Sequence, residues 1–148
     1  MTKIEPEQYR MLVAAHELGH VIGCRANGLD VYEIKLSGRG SNTAGIVRWH
    51  TPGGIDGFRA SMVALLAGRA ADLKWCEETG TPAVSSGCSG DMAEYRRMRR
   101  QWPRAWGRVP ADREIRANAD TIIRRQWAHV VRLAPRLAER GRLPSSAR

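Results

Sequence analysis

Between Tyr9 and Ile22 apolar side chains recur too often to define a single helical face. Tyr9, Leu12, Val13, Ala15, Leu18 and Ile22 surround the helix, which Pro6 opens in its first turn and Asn27-Gly28 closes. A helix apolar on nearly every side is a buried one, so the polar residues inside it need partners. Val31 to Leu36 alternates with period two and reads as a strand, as does Ala44 to Trp49, with a Gly- and Ser-rich turn over Ser37 to Asn42 joining them into an antiparallel pair. Phe58 to Trp75, rich in Ala and Leu, reads as a second helix, with Gly68 marking a place of close packing. Thr79 to Gly90 reads as a loop. A helix from about Asp91 to Gln101 follows, ended by Pro103, and a last helix spans Ala111 to Arg140, bent at Pro135. Its packing residues are Ile115, Ile122, Trp127, Val130, Val131, Leu133 and Leu137, and the tail 141–148 is expected to fray. The pattern predicts a mainly α chain with a small antiparallel β-sheet, an α+β fold, without internal repeats.

At 148 residues, 43% hydrophobic and 26% charged, the chain fits one folded domain over 1–148 and is too apolar to be disordered. The start, Met1-Thr2-Lys3-Ile4-Glu5-Pro6, lacks the apolar core of a secretory signal, and no apolar run reaches membrane-spanning length. The expectation is therefore a cytoplasmic chain with no membrane contact. Three cysteines, Cys24, Cys76 and Cys88, form no disulfide framework. The net charge of +9 is carried mostly by arginines beyond residue 95. It permits a nucleic-acid or other acidic partner, but no recognition motif accompanies it, and a solvated helix face is the preferred reading.

Chemistry enters with His16-Glu17-Leu18-Gly19-His20, an H-E-x-x-H pattern on the central helix. Residues four apart stack on one face, so both imidazoles can grip one ion, expected to be a single zinc per chain. Glu17 sits one step round, where it can take a proton from a water that the metal acidifies and pass it to the leaving amine of a peptide. Gly19 is costly in a helix interior by about 1 kcal/mol and marks a close neighbour. A third ligand is required. Ala26 stands where an H-E-x-x-H-x-x-G-x-x-H extension would place its last histidine, so the candidates are Asp91, Asp72, Glu77, Glu78, His50, Cys24 and Cys88.

Three ordered segments carry a family resemblance. Val13 to His20 resembles the zinc helix of the peptidase domain of FtsH-type AAA+ proteases; Leu66-Ala67-Gly68-Arg69-Ala70-Ala71-Asp72 is similar to that family's gly-gly-arg-ala-ala-glu helix; and Ser86-Gly87-Cys88-Ser89-Gly90-Asp91 is similar to its thr-gly-ala-x-x-asp segment. The resemblance implies a zincin-like helical metallopeptidase domain with Asp91 as the third ligand. It also implies that the strand Thr43 to Trp49, with Ala44, Gly45, Ile46 and Val47, is the edge to which an extended substrate adds. Arg69 and Asp72 are expected to act in helix packing or a salt bridge. An N-cap role for Asp91 is compatible with ligation. Cys88 replaces the family's alanine, and its thiol could bind or compete for the metal.

The chain departs from the family in lacking any G-x-x-x-x-G-K-[ST] loop, and so an ATPase module. A peptidase of this kind would act on flexible or unfolded polypeptides, or with a separate ATPase or adaptor, and could form a homo-oligomer. Two other readings stay open: a catalytically silent zincin-fold binder using its arginine-rich helices, and a small zinc peptidase of the repressor-cleaving type with Glu77 or Glu78 as third ligand. The oxyanion-stabilising residue is unassigned.

Overall fold

The computed structural model describes residues 3–84, 89–144 and 146, and its elements follow the apolar pattern closely. Helix α1, Pro6–Ala26, opens with Pro6 in its first turn and a capping box in which the Gln8 side chain accepts the Glu5 backbone N–H at 3.0 Å. Arg25 in the last turn complements the helix dipole. From Ala14 to Cys24 every residue of α1 is buried, as its all-round apolar sequence requires. Helix α2, Ile55–Thr79, packs antiparallel on α1 and ends on Gly80, whose φ of 73° places it in the left-handed region and whose N–H bonds the Cys76 carbonyl at 3.0 Å.

The seam between α1 and α2 is made of small residues. A Cβ on Gly19 would stand 2.6 Å from the Ala67 carbonyl oxygen and 2.7 Å from Ala71 Cβ, and one on Gly23 would stand 2.7 Å from Ala67 Cβ. Only glycine permits so close a crossing, which accounts for Gly19 despite its helical cost.

Strands β1, Asp30–Ser37, and β2, Ala44–His50, pair antiparallel, and Ile34 and Leu36 of β1 point into the core. The register shifts between Val31 and Glu33, leaving Tyr32 as the extra residue of a bulge. The third strand, β3, Arg142–Leu143, was not foreseen: the expected fraying segment pairs in part with β1, Leu143 opposite Ile34 and Arg142 opposite Lys35. Leu143 is buried, and the Leu36 N–H donates to the Gly141 carbonyl at 2.8 Å, which ties this stretch down. The sheet order β2-β1-β3 leaves β2 at an edge.

Helix α3, Ser89–Arg100, follows, and the predicted last helix is two helices, α4, Asp112–Arg125, and α5, Trp127–Arg140. The break falls at Gln126, whereas Pro135 sits inside α5 on its exposed side. Breaking at Gln126 lets Ile115, Ala119 and Ile123 face α2 while Val130, Leu133 and Leu137 face α1. Val131, expected to pack, is half exposed. The outcome is the expected α+β fold, mostly helical with a small antiparallel sheet. No helix among the described residues is long and apolar enough to cross a membrane.

Candidate metal centre

The antiparallel seam aligns two stripes of residues four apart. His16 and His20 lie on α1; Ala64, Gly68 and Asp72 face them from α2. His20 Nδ1 donates to the Ala64 carbonyl at 2.8 Å, and the His16 Nδ1 lies 2.8 Å from Asp72 Oδ2. These partners fix the ring orientations and leave both Nε2 atoms directed at the same carboxylate oxygen of Asp91. Gly68 makes room for this: a Cβ there would stand 2.4 Å from His20 Cε1 and 2.6 Å from Nε2. The place of close packing foreseen at Gly68 is thus the clearance of an imidazole.

The third member comes from α3, whose first turn holds Asp91. Its Oδ2 lies 2.8 Å from His16 Nε2 and 2.9 Å from His20 Nε2, and the two Nε2 atoms stand 3.0 Å apart. The two rings meet edge to face, with centroids 4.6 Å apart. Burial opposes ionisation of Asp91, but hydrogen bonding and charge from His16 and His20 outweigh it and hold its carboxyl below the usual range. An α3 N-terminus favours the same anionic form.

The donor set fits a divalent cation. With each Nδ1 donating, both Nε2 atoms converge on one carboxylate oxygen, and only a positive charge, carried by the rings as protons or by a cation that replaces them, holds the three together. Two imidazoles and a carboxylate are also a common ligand set for a catalytic zinc. Among the described residues, His16, His20 and Asp91 form the group of ligand-bearing side chains close enough to share an ion.

Glu17 is buried beside this group, and burial above all pushes its carboxyl above the ordinary value, against the pull of His20 and His16. Its side chain lines a cleft of about 260 Å³ with Tyr9, Val13, His16, Gly45 and Val84. A carboxyl of raised pKa beside a cation site suits a group that accepts a proton and later returns it.

The other candidates for third ligand fall elsewhere. Asp72 takes the far nitrogen of His16. Cys24 is buried, and burial pushes its thiol up to about 12, with Arg25 opposing. Glu78, near the C-terminal end of α2, accepts from Lys74 Nζ at 3.0 Å and Trp127 Nε1 at 2.6 Å. Its neighbour Glu77 lines a surface hollow with Ala70 and Lys74. His50 ends β2 and is exposed. Cys88, and with it part of the segment Ser86 to Asp91, lies outside the described residues. Of the expected substrate strand, Ala44, Gly45, Ile46 and Val47 all lie on the edge strand β2, with Ala44 and Gly45 at the cleft.

Sequence reasoning missed two neighbours of the site. Trp49 of β2 places its ring 5.9 Å from that of His20. The Ala64 carbonyl is the second; its signal was the Ala64-Gly68-Asp72 spacing, which matches that of the two histidines.

No family model matches this chain. It is 31% identical over 112 residues to the ATP-dependent zinc metalloprotease FTSH 6, chloroplastic, of Oryza sativa subsp. japonica. The alignment takes in 72% of the chain but only 16% of that protease, so the chain spans about a sixth of its relative's length. The likeness points toward the FtsH-type peptidases; the words zinc, ATP-dependent and protease belong to the relative.

Proposed function

We propose that this chain is a zinc-dependent metallopeptidase that hydrolyses peptide bonds in flexible or unfolded polypeptides. The observation that carries the reading is the convergence of His16 Nε2, His20 Nε2 and Asp91 Oδ2 within 3.0 Å of one another, with Glu17 buried alongside. Zinc, when bound, supplies a Lewis acid that polarises a carbonyl and makes a water acidic near neutral pH. His16, His20 and Asp91 would hold it. Glu17 takes the proton of the attacking water and delivers it to the leaving amine, a role that a carboxyl of raised pKa performs in both directions. The edge of β2, which pairs with no further strand among the described residues, would take an extended substrate beside Glu17 by the same hydrogen bonding that extends a sheet.

These 148 residues hold no phosphate-binding loop. Flexible or already unfolded chains are the substrates they would reach unaided, and folded ones would require an ATPase or adaptor. Purified protein is expected to hold about one zinc and to degrade an unfolded protein such as reduced casein. The Glu17→Gln variant is expected to keep its metal and lose activity by about 10²- to 10⁴-fold. An active Glu17→Gln variant would overturn the reading.

A further inference from the structure

β2 crosses α1 at Glu17, and the residue at the crossing is Gly45. A Cβ there would stand 2.4 Å from Glu17 Cγ, 2.7 Å from Cδ and 2.7 Å from Oε1, so the outer half of the glutamate lies directly against bare backbone. Backbone conformation does not require this glycine, because Gly45 is not among the glycines with positive φ. An alanine would suit its dihedral angles. Space is therefore the one feature of glycine in use at this position.

The other side of the glutamate is fixed. Its helix is held by the Gly19 and Gly23 seam against α2, and its neighbours His16 and His20 are anchored on Asp72 and Ala64. Glu17 thus stands between a helix that cannot retreat and a strand that carries no side chain at the point of contact. We propose that Gly45 is a positioning residue: by lacking a side chain it sets where the Glu17 carboxylate stands relative to His16, His20 and Asp91. It thereby governs turnover rather than metal binding or substrate affinity. This rests on the peptidase reading above and gives Gly45 a role distinct from lending its backbone to a substrate.

The response to an added methyl follows from what it meets. The obstructed atoms begin at Cγ, so the methyl turns the whole Glu17 side chain about χ1 and carries its carboxylate away, while the backbone of α1 stays held by its seam. At Gly68 the obstructed group is a ring anchored at Nδ1, and the same substitution moves a ligand instead.

Cobalt(II)-loaded wild type, Gly45→Ala, Glu17→Ala and the double variant test this, each read for visible spectrum, peptide hydrolysis and binding of a peptidyl hydroxamate, a chelator whose hydroxyl proton passes to a neighbouring carboxylate. Gly45→Ala is expected to keep the wild-type spectrum and to fold, with a thermal midpoint lowered modestly by the added methyl. Its KM should stay within about twofold while kcat falls at least about 10²-fold, and its hydroxamate affinity should fall about tenfold. The double variant should be no worse than Glu17→Ala alone, because removing Cγ, Cδ and the carboxylate leaves the methyl nothing to displace. Wild-type kcat in Gly45→Ala, loss of its cobalt spectrum, or a double variant that multiplies the two single losses would overturn the role of Gly45. A wild type that shows the coupling in hydroxamate binding yet cuts no peptide would overturn the peptidase reading and leave Gly45 as the residue that places Glu17.

Discussion

The seam between α1 and α2 and the arginine-bearing stretch of α3 and α4 both concentrate polar groups, but they treat them oppositely. Along α3 and α4 charges are partly exposed and answered locally: Arg97 pairs with Glu94 one turn away, Arg116 with Asp112 at 2.7 Å, and Arg99 donates to the Pro110 carbonyl at 2.7 Å. In the seam, two buried imidazoles one turn apart on α1 are met by Glu17 of the same helix, Asp72 of α2 and Asp91 of α3. Density of charge therefore marks a solvated surface, whereas a few polar groups buried without enough donors mark chemistry.

The contrast breaks most severely at the seam itself. Gly19→Val forces a side chain into the Ala67 carbonyl and Ala71, and is expected to cost more than about 3 kcal/mol or to prevent folding, as read by circular dichroism and chemical denaturation. A smaller effect is expected from Asp72→Ala, which frees the far nitrogen of His16: zinc affinity by competition titration should fall about 10- to 100-fold with the fold intact. Unchanged affinity would make Asp72 a packing residue only.

The smallest effects belong to the charged stretch. Asp112 accepts hydrogen bonds from Arg116 and from the Tyr95 hydroxyl at 2.7 Å, and these, in that order, lower its pKa. A lowered carboxyl contributes stability that is present above its unfolded value of about 3.9 and is lost as pH falls through the folded value. Asp112→Asn should therefore be less stable than wild type near neutrality, by no more than about 1 kcal/mol for so exposed a pair, and the gap should close as pH falls below the unfolded value and through the lowered folded one. A gap that stays constant with pH would assign the effect to packing. Glu94→Gln should leave the thermal midpoint nearly unchanged, and more so at high salt.

Elements governed by local physics are legible in the amino-acid sequence. Helix α1, its two histidines one turn apart, and the alternating strands β1 and β2 depend on neighbours a few residues away, and the structure has them where expected. What escaped was non-local or short. β3 is two residues long and depends on β1 for its hydrogen bonds, so it leaves no period to read. The turn at Gln126 is set by which helix each half packs against, and proline, the residue that usually bends a helix, sits elsewhere. Spacing alone left seven candidates for the third ligand; nominating Asp91 took the family resemblance, and the structure brings Asp91 to the histidines while placing Asp72 behind one of them. The contact of Gly45 with Glu17 joins a strand to a helix 28 residues apart and has no local signature.

The account stands most directly on a cation shared by His16, His20 and Asp91. Zinc titration calorimetry of wild type and Asp91→Ala in parallel tests it: wild type is expected to take up one equivalent, and the variant, still folded, to bind at least about 100-fold more weakly. Equal affinity in the two proteins, or no uptake by wild type, would contradict it.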